Sequence, residues 1–247
     1  LKDAASIGII GAADGPTSIL VSQVLNSKYI GAIAVAAYSY MALVPIVQPL
    51  PSGLHYKEGT LIHMEYNPKS VSKTMKLTFP IIVTVIVGLV APQSVALVGF
   101  LMFGNLIREC GVLGTLPTQP EYSANLITLL LGITISFSMK AEQFVNPATL
   151  MIMLWAWWHL CLIPLAACFL QNLKCFLKLA GKKPVNPMIG GCGISAFPMS
   201  SRVVQRMAAR EEPGNIILMQ AAGTNVSGQV ASVIAGGLVI SIVSQYL

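Results

Sequence analysis

Charge is what this chain has least of. Only 10% of its residues are charged, nine Asp and Glu against fifteen Lys and Arg, while 55% are hydrophobic and the mean hydropathy is +0.73. So little polar surface cannot cover a water-soluble globule of 247 residues, which excludes an ordinary soluble enzyme and places the chain in a bilayer. Aromatic residues make up 7% and do not alternate with basic ones, so the net charge of +6 does not describe a nucleic-acid surface. Histidine is confined to His55, His63 and His159, which lie apart, and no His/Cys cluster stands at ligand spacing; a transition-metal centre is excluded. Of the five cysteines, Cys161, Cys168 and Cys175 recur every seventh residue, ~10 Å apart along a helix and too distant for one metal ion. They read as small buried hydrophobes with no disulfide framework. Leu1-Lys2-Asp3 has neither a methionine nor a signal pattern, and reads as a chain whose beginning is missing.

What the chain does contain is apolar segments long enough to cross hydrocarbon. They recur at 77–107, 126–139, 148–171 and 216–247, some as adjoining pairs, and predict an all-α polytopic membrane protein. Basic residues gather at 57–76, 174–183 and 202–210, and the positive-inside rule assigns these clusters to the cytoplasmic face. The expected organisation is a first broken-helix unit (1–51), a polar cytoplasmic loop (52–76) with His55 and His63, central spans (77–172), a basic loop (173–185) and a second broken-helix unit (186–247). The spans in 77–107 divide around Ala91-Pro92-Gln93. Trp155, Trp157, Trp158 and His159 crowd the first half of 148–171, which suits an interfacial belt only for a tilted or offset helix.

Three places interrupt the apolar pattern. In 6–24, Gly11-Ala12-Ala13-Asp14-Gly15-Pro16-Thr17 forbids a continuous helix and predicts helix, break, helix. Residues 186–201 are too polar and glycine-rich to cross as a simple helix, so a re-entrant or unwound segment is expected there. The third interruption is expected at Gly223-Thr224-Asn225-Val226-Ser227-Gly228, between apolar segments 215–226 and 228–247. Irregular backbone at membrane depth is tolerated only where it is buried in protein or lines an aqueous cavity, so these breaks point to a transport site. Breaks near Asp14 and Ser195, in corresponding places of two halves, fit an inverted-repeat transporter.

Asp14 is an ionisable group inside an apolar segment, where a carboxylate costs ~2.5–3.5 kcal/mol on insertion scales. With Thr17 and carbonyls freed by the break, it offers a hard oxygen environment suited to an alkali cation. It can equally cap the half-helix that follows, and the two roles are compatible. Asn186, Ser195, Ser200 and Ser201 supply neutral oxygens in the second break, where Gly190, Gly191 and Gly193 permit close approach to backbone. Arg202 can pair a carboxylate, of Asp14 or of a substrate, or serve as a positive-inside anchor. Tyr38, Tyr40 and Asn225 either complete an ion site or satisfy local backbone.

The segments Gly11–Thr17, Asn186–Gly190 with Ser195–Arg202, and Gly104-Asn105-Leu106-Ile107-Arg108-Glu109-Cys110-Gly111-Val112 resemble the beta subunits of the biotin-dependent, sodium-translocating decarboxylases acting on oxaloacetate, methylmalonyl-CoA and glutaconyl-CoA. The resemblance runs essentially the whole length, except that such subunits carry further membrane segments before the Asp14 motif. It implies decarboxylation of carboxybiotin, with proton uptake and outward sodium transport, in a multi-pass protein of the inner (cytoplasmic) membrane. It also implies Asp14 as sodium and proton ligand and Tyr40 as a proton-handling hydroxyl. Asn186, Gly190 and Ser195 fall around a sodium site that Asn225 lines, and Arg202 falls at the carboxybiotin carboxylate. The implied cofactors are Na+ and a carboxybiotin presented by a partner. Implied partners are a carboxyltransferase subunit, a biotin carrier protein, a small membrane-anchor subunit and further copies of the chain. Two rivals share some of these features: a secondary sodium-coupled carrier for an organic anion, and a non-transporting membrane scaffold.

Overall fold

The computed structural model describes residues 1–49, 71–111, 146–159 and 186–247, with isolated positions at 64, between 126 and 137, and at 162. His55, His63, the basic loop 174–183, the cysteines at 161, 168 and 175, and the side chain of Tyr40 lie outside the described residues. The described chain is helical, with no strand. In order it forms α1 (Lys2–Gly8), a 3-10 turn (Ile9–Ala12), α2 (Gly15–Val24), α3 (Ile30–Val47) and α4 (Lys73–Val90). A 3-10 turn (Pro92–Ser94), α5 (Val95–Cys110), a 3-10 helix (Pro187–Gly193), α6 (Met199–Glu211) and α7 (Leu218–Ser244) follow. Residues 147–159 are also helical.

Three of these helices are long and apolar enough to cross a membrane: α3 and α4 with 18 residues each and α7 with 27. At 1.5 Å per residue they measure about 27, 27 and 40 Å against ~30 Å of hydrocarbon. The division of 77–107 falls where expected: α4 ends at Val90, Ala91 is buried, and Pro92 opens the turn into α5. With 16 residues α5 reaches only about 24 Å, short of the full span expected there. A Lys76–Glu109 ion pair at 3.5 Å ties the two open ends of this hairpin together. Phe79, Ile82, Val85, Ile86 and Leu89 of α4 are all more than half exposed, a continuous apolar face that fits lipid and not water.

The first interruption is a true break. The chain closes a 3-10 turn at Ala12, turns through Ala13 in the left-handed region (φ 61°), and restarts at Asp14, which is extended and caps α2. Pro16 sits in the first turn of α2, where its missing N–H leaves no helix bond unmade. The second interruption is unwound as well: Asn186 caps the 3-10 helix, Ile194 is extended, Phe197-Pro198 is a cis peptide, and α6 begins at Met199.

The third expected interruption does not occur. α7 runs unbroken from Leu218 to Ser244 through Gly223, Asn225 and Gly228. A single glycine costs a helix only ~1 kcal/mol relative to alanine, and here packing supplies the compensation. Gly228 lies directly on the Gly193 carbonyl, Gly236 receives the Thr17 methyl, and Gly237 receives the Ser94 side chain. These glycines mark close approach between elements, not a break.

α7 is therefore the axis of the described structure, packed on α2, on the 3-10 helix 187–193, on α6 and on the turn of the α4–α5 hairpin. One buried cluster, with Ile10, Ala13, Ile33, Ala36, Ile152, Ile194 and Ala196, joins the first break, α3, the 147–159 helix and the second motif. A second, with Met188, Cys192, Val204, Ile217 and Ala221, joins the second motif to α6 and α7. The two breaks are thus held side by side against one long helix.

Candidate functional site

Asp14 is 5% exposed, at the point where the first break meets α7. Its Oδ2 accepts the Thr17 hydroxyl at 2.7 Å and the Ser232 hydroxyl of α7 at 2.9 Å, and its Oδ1 accepts the Thr17 N–H at 3.4 Å. Ser18 donates to the Asp14 carbonyl at 2.8 Å. Among the described residues no Lys, Arg or His forms an ion pair with this carboxylate. A buried carboxylate is stabilised by opposite charge or by hydrogen-bond donors, and here the described partners are donors alone. The capping role is realised: Oδ1 faces the helix terminus, while Oδ2 gathers two hydroxyls.

The second motif comes to the same place. Ser195 is 4% exposed and its hydroxyl donates to the Ala12 carbonyl, two residues before Asp14. Asn225 is fully buried in α7; its amide donates to the Ile194 carbonyl at 2.5 Å, and its Oδ1 has no hydrogen-bond partner among the described residues. Such an oxygen is costly to bury unless something else meets it. Gly228, on the Gly193 carbonyl, holds α7 and the second motif at this distance.

Of the residues singled out in the sequence, Asp14, Thr17, Ser195 and Asn225 are thus brought together. Asn186 is fully buried at the start of the 3-10 helix, where its Oδ1 accepts the Met188 N–H at 3.0 Å. Gly190 lies half-buried within that 3-10 helix. Tyr38 lies on Gly15, where a Cβ would come 3.2 Å from its ring, so its phenol flanks the Asp14 break; Tyr40 is on the same helix, α3. Arg202 does not pair with Asp14. It sits on the exposed face of α6 with Arg206 and Arg210, four residues apart, while Ser200, Ser201, Val203, Val204 and Ala208 form the buried face. A guanidinium left in water avoids the desolvation that a buried pair would cost.

Three residues of the site had no sequence signal. Ser232 is one small polar residue in an apolar helix. Gln229, one turn before it, has a buried Oε1 with no partner among the described residues. Gln48, fully buried at the end of α3, donates through Nε2 to the Gly191 carbonyl at 3.0 Å and to the Ser200 hydroxyl at 2.7 Å, tying the first unit to the second motif. Their roles arise from partners more than 140 residues away for Gln48 and more than 200 for Ser232.

Carboxylate, hydroxyl, amide and backbone oxygens are hard donors, and the described residues contain no group of three or more His, Cys, Asp or Glu able to hold a metal ion. Such donors suit hard cations, and the Asn225 Oδ1 has no hydrogen-bond partner among the described residues.

Comparison with known proteins gives this arrangement a context. The family model for the Na+-transporting oxaloacetate decarboxylase beta subunit matches residues 1–243. The chain is similar to the methylmalonyl-CoA decarboxylase subunit beta of Propionigenium modestum, 42% identical over 98% of this chain and 60% of the relative. It is similar to the oxaloacetate decarboxylase beta chain 2 of Salmonella typhi, 40% identical over 98% of this chain and 56% of the relative. The methylmalonyl-CoA decarboxylase subunit beta of Veillonella parvula is 37% identical over 99% of this chain and 65% of the relative. The chain thus spans less than two thirds of the length of these curated relatives. A match across both breaks, the hairpin between them and α7 leaves one assignment: the chain belongs to the family of Na+-transporting oxaloacetate decarboxylase beta subunits.

Proposed function

We propose that this chain is part of the membrane subunit that decarboxylates carboxybiotin and couples that step to sodium export. The observation that carries the reading is Asp14: a buried carboxylate, held by two hydroxyls at a helix break, with no basic partner among the described residues. Such a group binds either a proton or a cation, and exchange of one for the other is the elementary step of a coupled pump.

Asp14 and Thr17 bind Na+ through oxygen, with Ser195 and Asn225, at the Ala12 and Ile194 carbonyls, supplying further oxygens along its path, and its arrival displaces a proton from Asp14 or a neighbouring hydroxyl. Tyr38 and Tyr40, on α3, are the phenols available to pass that proton on. The released proton goes to the ring nitrogen of carboxybiotin as its N–CO2 bond breaks, giving biotin and CO2. Arg202 receives a carboxylate delivered from outside the chain and does not neutralise Asp14, a reading that its exposure on α6 supports. The biotin arrives on a biotin carrier protein charged by a carboxyltransferase subunit, with a small membrane-anchor subunit and further copies of the chain completing the complex. The two broken segments, packed against α7, act as inverted-repeat elements that face the cytoplasm and the outside in turn, across the inner membrane.

A sodium-coupled carrier for an organic anion would use the same carboxylate but no biotin. Sodium uptake into vesicles containing the complex, measured with and without avidin, separates the two. Block by avidin is the expected result; avidin-insensitive uptake driven by an organic anion would establish the carrier instead.

A further inference from the structure

The face of α7 turned toward the two breaks carries Asn225, Gln229 and Ser232, at spacings of four and three residues that align them on a helix. Asn225 and Gln229 each present a buried side-chain carbonyl without a partner among the described residues. Ser232 has the opposite property. Its single hydroxyl proton is within reach of two acceptors at the same 2.9 Å, the Asp14 Oδ2 and the Gln229 backbone carbonyl in its own helix. It can donate to only one at full strength.

We propose that Ser232 is a positioning residue and additional oxygen ligand of the sodium site, working by rotation of its hydroxyl between these two acceptors; this rests on the reading of Asp14 as the sodium ligand. With the carboxylate bare, the proton points to Asp14 and holds it in place with Thr17. When sodium arrives, the proton turns to the Gln229 carbonyl, and the lone pairs of Ser232 Oγ face the ion beside Asp14. Ser232 thereby presents a donor to the empty carboxylate and an acceptor to the cation without moving its backbone. Thr17 cannot do both, since its hydroxyl has Asp14 Oδ2 as its one described acceptor.

The geometry assigns the effect to affinity and not to fold. Ser232 is 7% exposed and lies within α7, where Ser232→Ala removes one oxygen and raises helix propensity. Sodium activation of carboxybiotin decarboxylation by the full complex is the experiment, with Ser232→Ala, Ser232→Thr and, as a control on the exposed face of the same helix, Ser227→Ala. Ser232→Ala is expected to raise the half-activating sodium concentration about tenfold, with turnover at saturating sodium within about twofold of the parent. Ser232→Thr is expected to restore the parent constant to within about threefold, and Ser227→Ala to match the parent. An unchanged sodium constant in Ser232→Ala, or a loss of turnover at saturating sodium with the constant unmoved, would overturn the inference while leaving the sodium site standing. Sodium-independent turnover by the parent would overturn both.

Discussion

Gly228→Ala and Gly223→Ala place the same methyl on the same helix one and a half turns apart, with opposite expected outcomes. At Gly223 nothing lies within 4 Å of the new Cβ, and the position is exposed. Replacing glycine there removes backbone entropy from the unfolded chain and should stabilise α7 by up to about 1 kcal/mol. At Gly228 the new Cβ would fall on the Gly193 carbonyl oxygen and lie 2.9 Å from its carbon. That neighbour is backbone, so α7 and the 3-10 helix must separate. Overpacking of this kind costs about 1–3 kcal/mol, and separation also weakens the Asn225–Ile194 hydrogen bond, about another 0.5–1.5 kcal/mol. After the propensity gain, a net loss of about 1–3 kcal/mol remains, a factor of roughly 5–150 in the folded-to-unfolded ratio. Thermal and denaturant unfolding of the purified complex in detergent, with sodium activation measured alongside, tests it. The reasoning predicts a stable, parent-like Gly223→Ala and a destabilised Gly228→Ala with weakened sodium activation. Equal behaviour of the two variants would refute the claim that α7 glycines serve close packing against the second motif.

Removing the amide of Gln48 takes one donor from the Gly191 carbonyl and one from the Ser200 hydroxyl, which keep their bond to each other at 3.1 Å. Gln48→Ala is expected to cost about 2–4 kcal/mol in detergent unfolding, while Gln48→Met, which keeps the volume, should cost less than half of that beyond the lost bonds. Arg202 and Arg206 are both exposed on α6, so neither should matter to stability. If Arg202 receives the carboxylate, Arg202→Gln lowers kcat/KM for carboxybiotin at least tenfold, whereas Arg206→Gln stays within about twofold, as measured by CO2 release.

How much of this was legible in the sequence follows from how local each signal is. Asp14 and its break were legible because Gly-Pro chemistry forbids helix within a few residues, and the α4–α5 turn because Pro92 does the same. Gly223–Gly228 misled because glycine in an apolar run permits either a break or a close contact, and only the presence of Gly193 decides which. Arg202 was placed by adjacency to the second motif, but helical periodicity turns it outward while its neighbour Ser201 turns in. Gln48 and Ser232 could not be read at all, since one polar residue among several in or beside an apolar helix acquires meaning only from its distant partner. The α5 segment was apolar enough to suggest a span, yet Gly111 in the left-handed region closes the helix after 16 residues.

The central claim is that Asp14 exchanges a proton for sodium to drive decarboxylation. Carboxybiotin decarboxylation by the reconstituted complex, with and without sodium, compared between the parent and Asp14→Asn, tests it most directly. The account predicts sodium-dependent turnover in the parent that Asp14→Asn abolishes; turnover that is independent of sodium and unchanged in Asp14→Asn would contradict it.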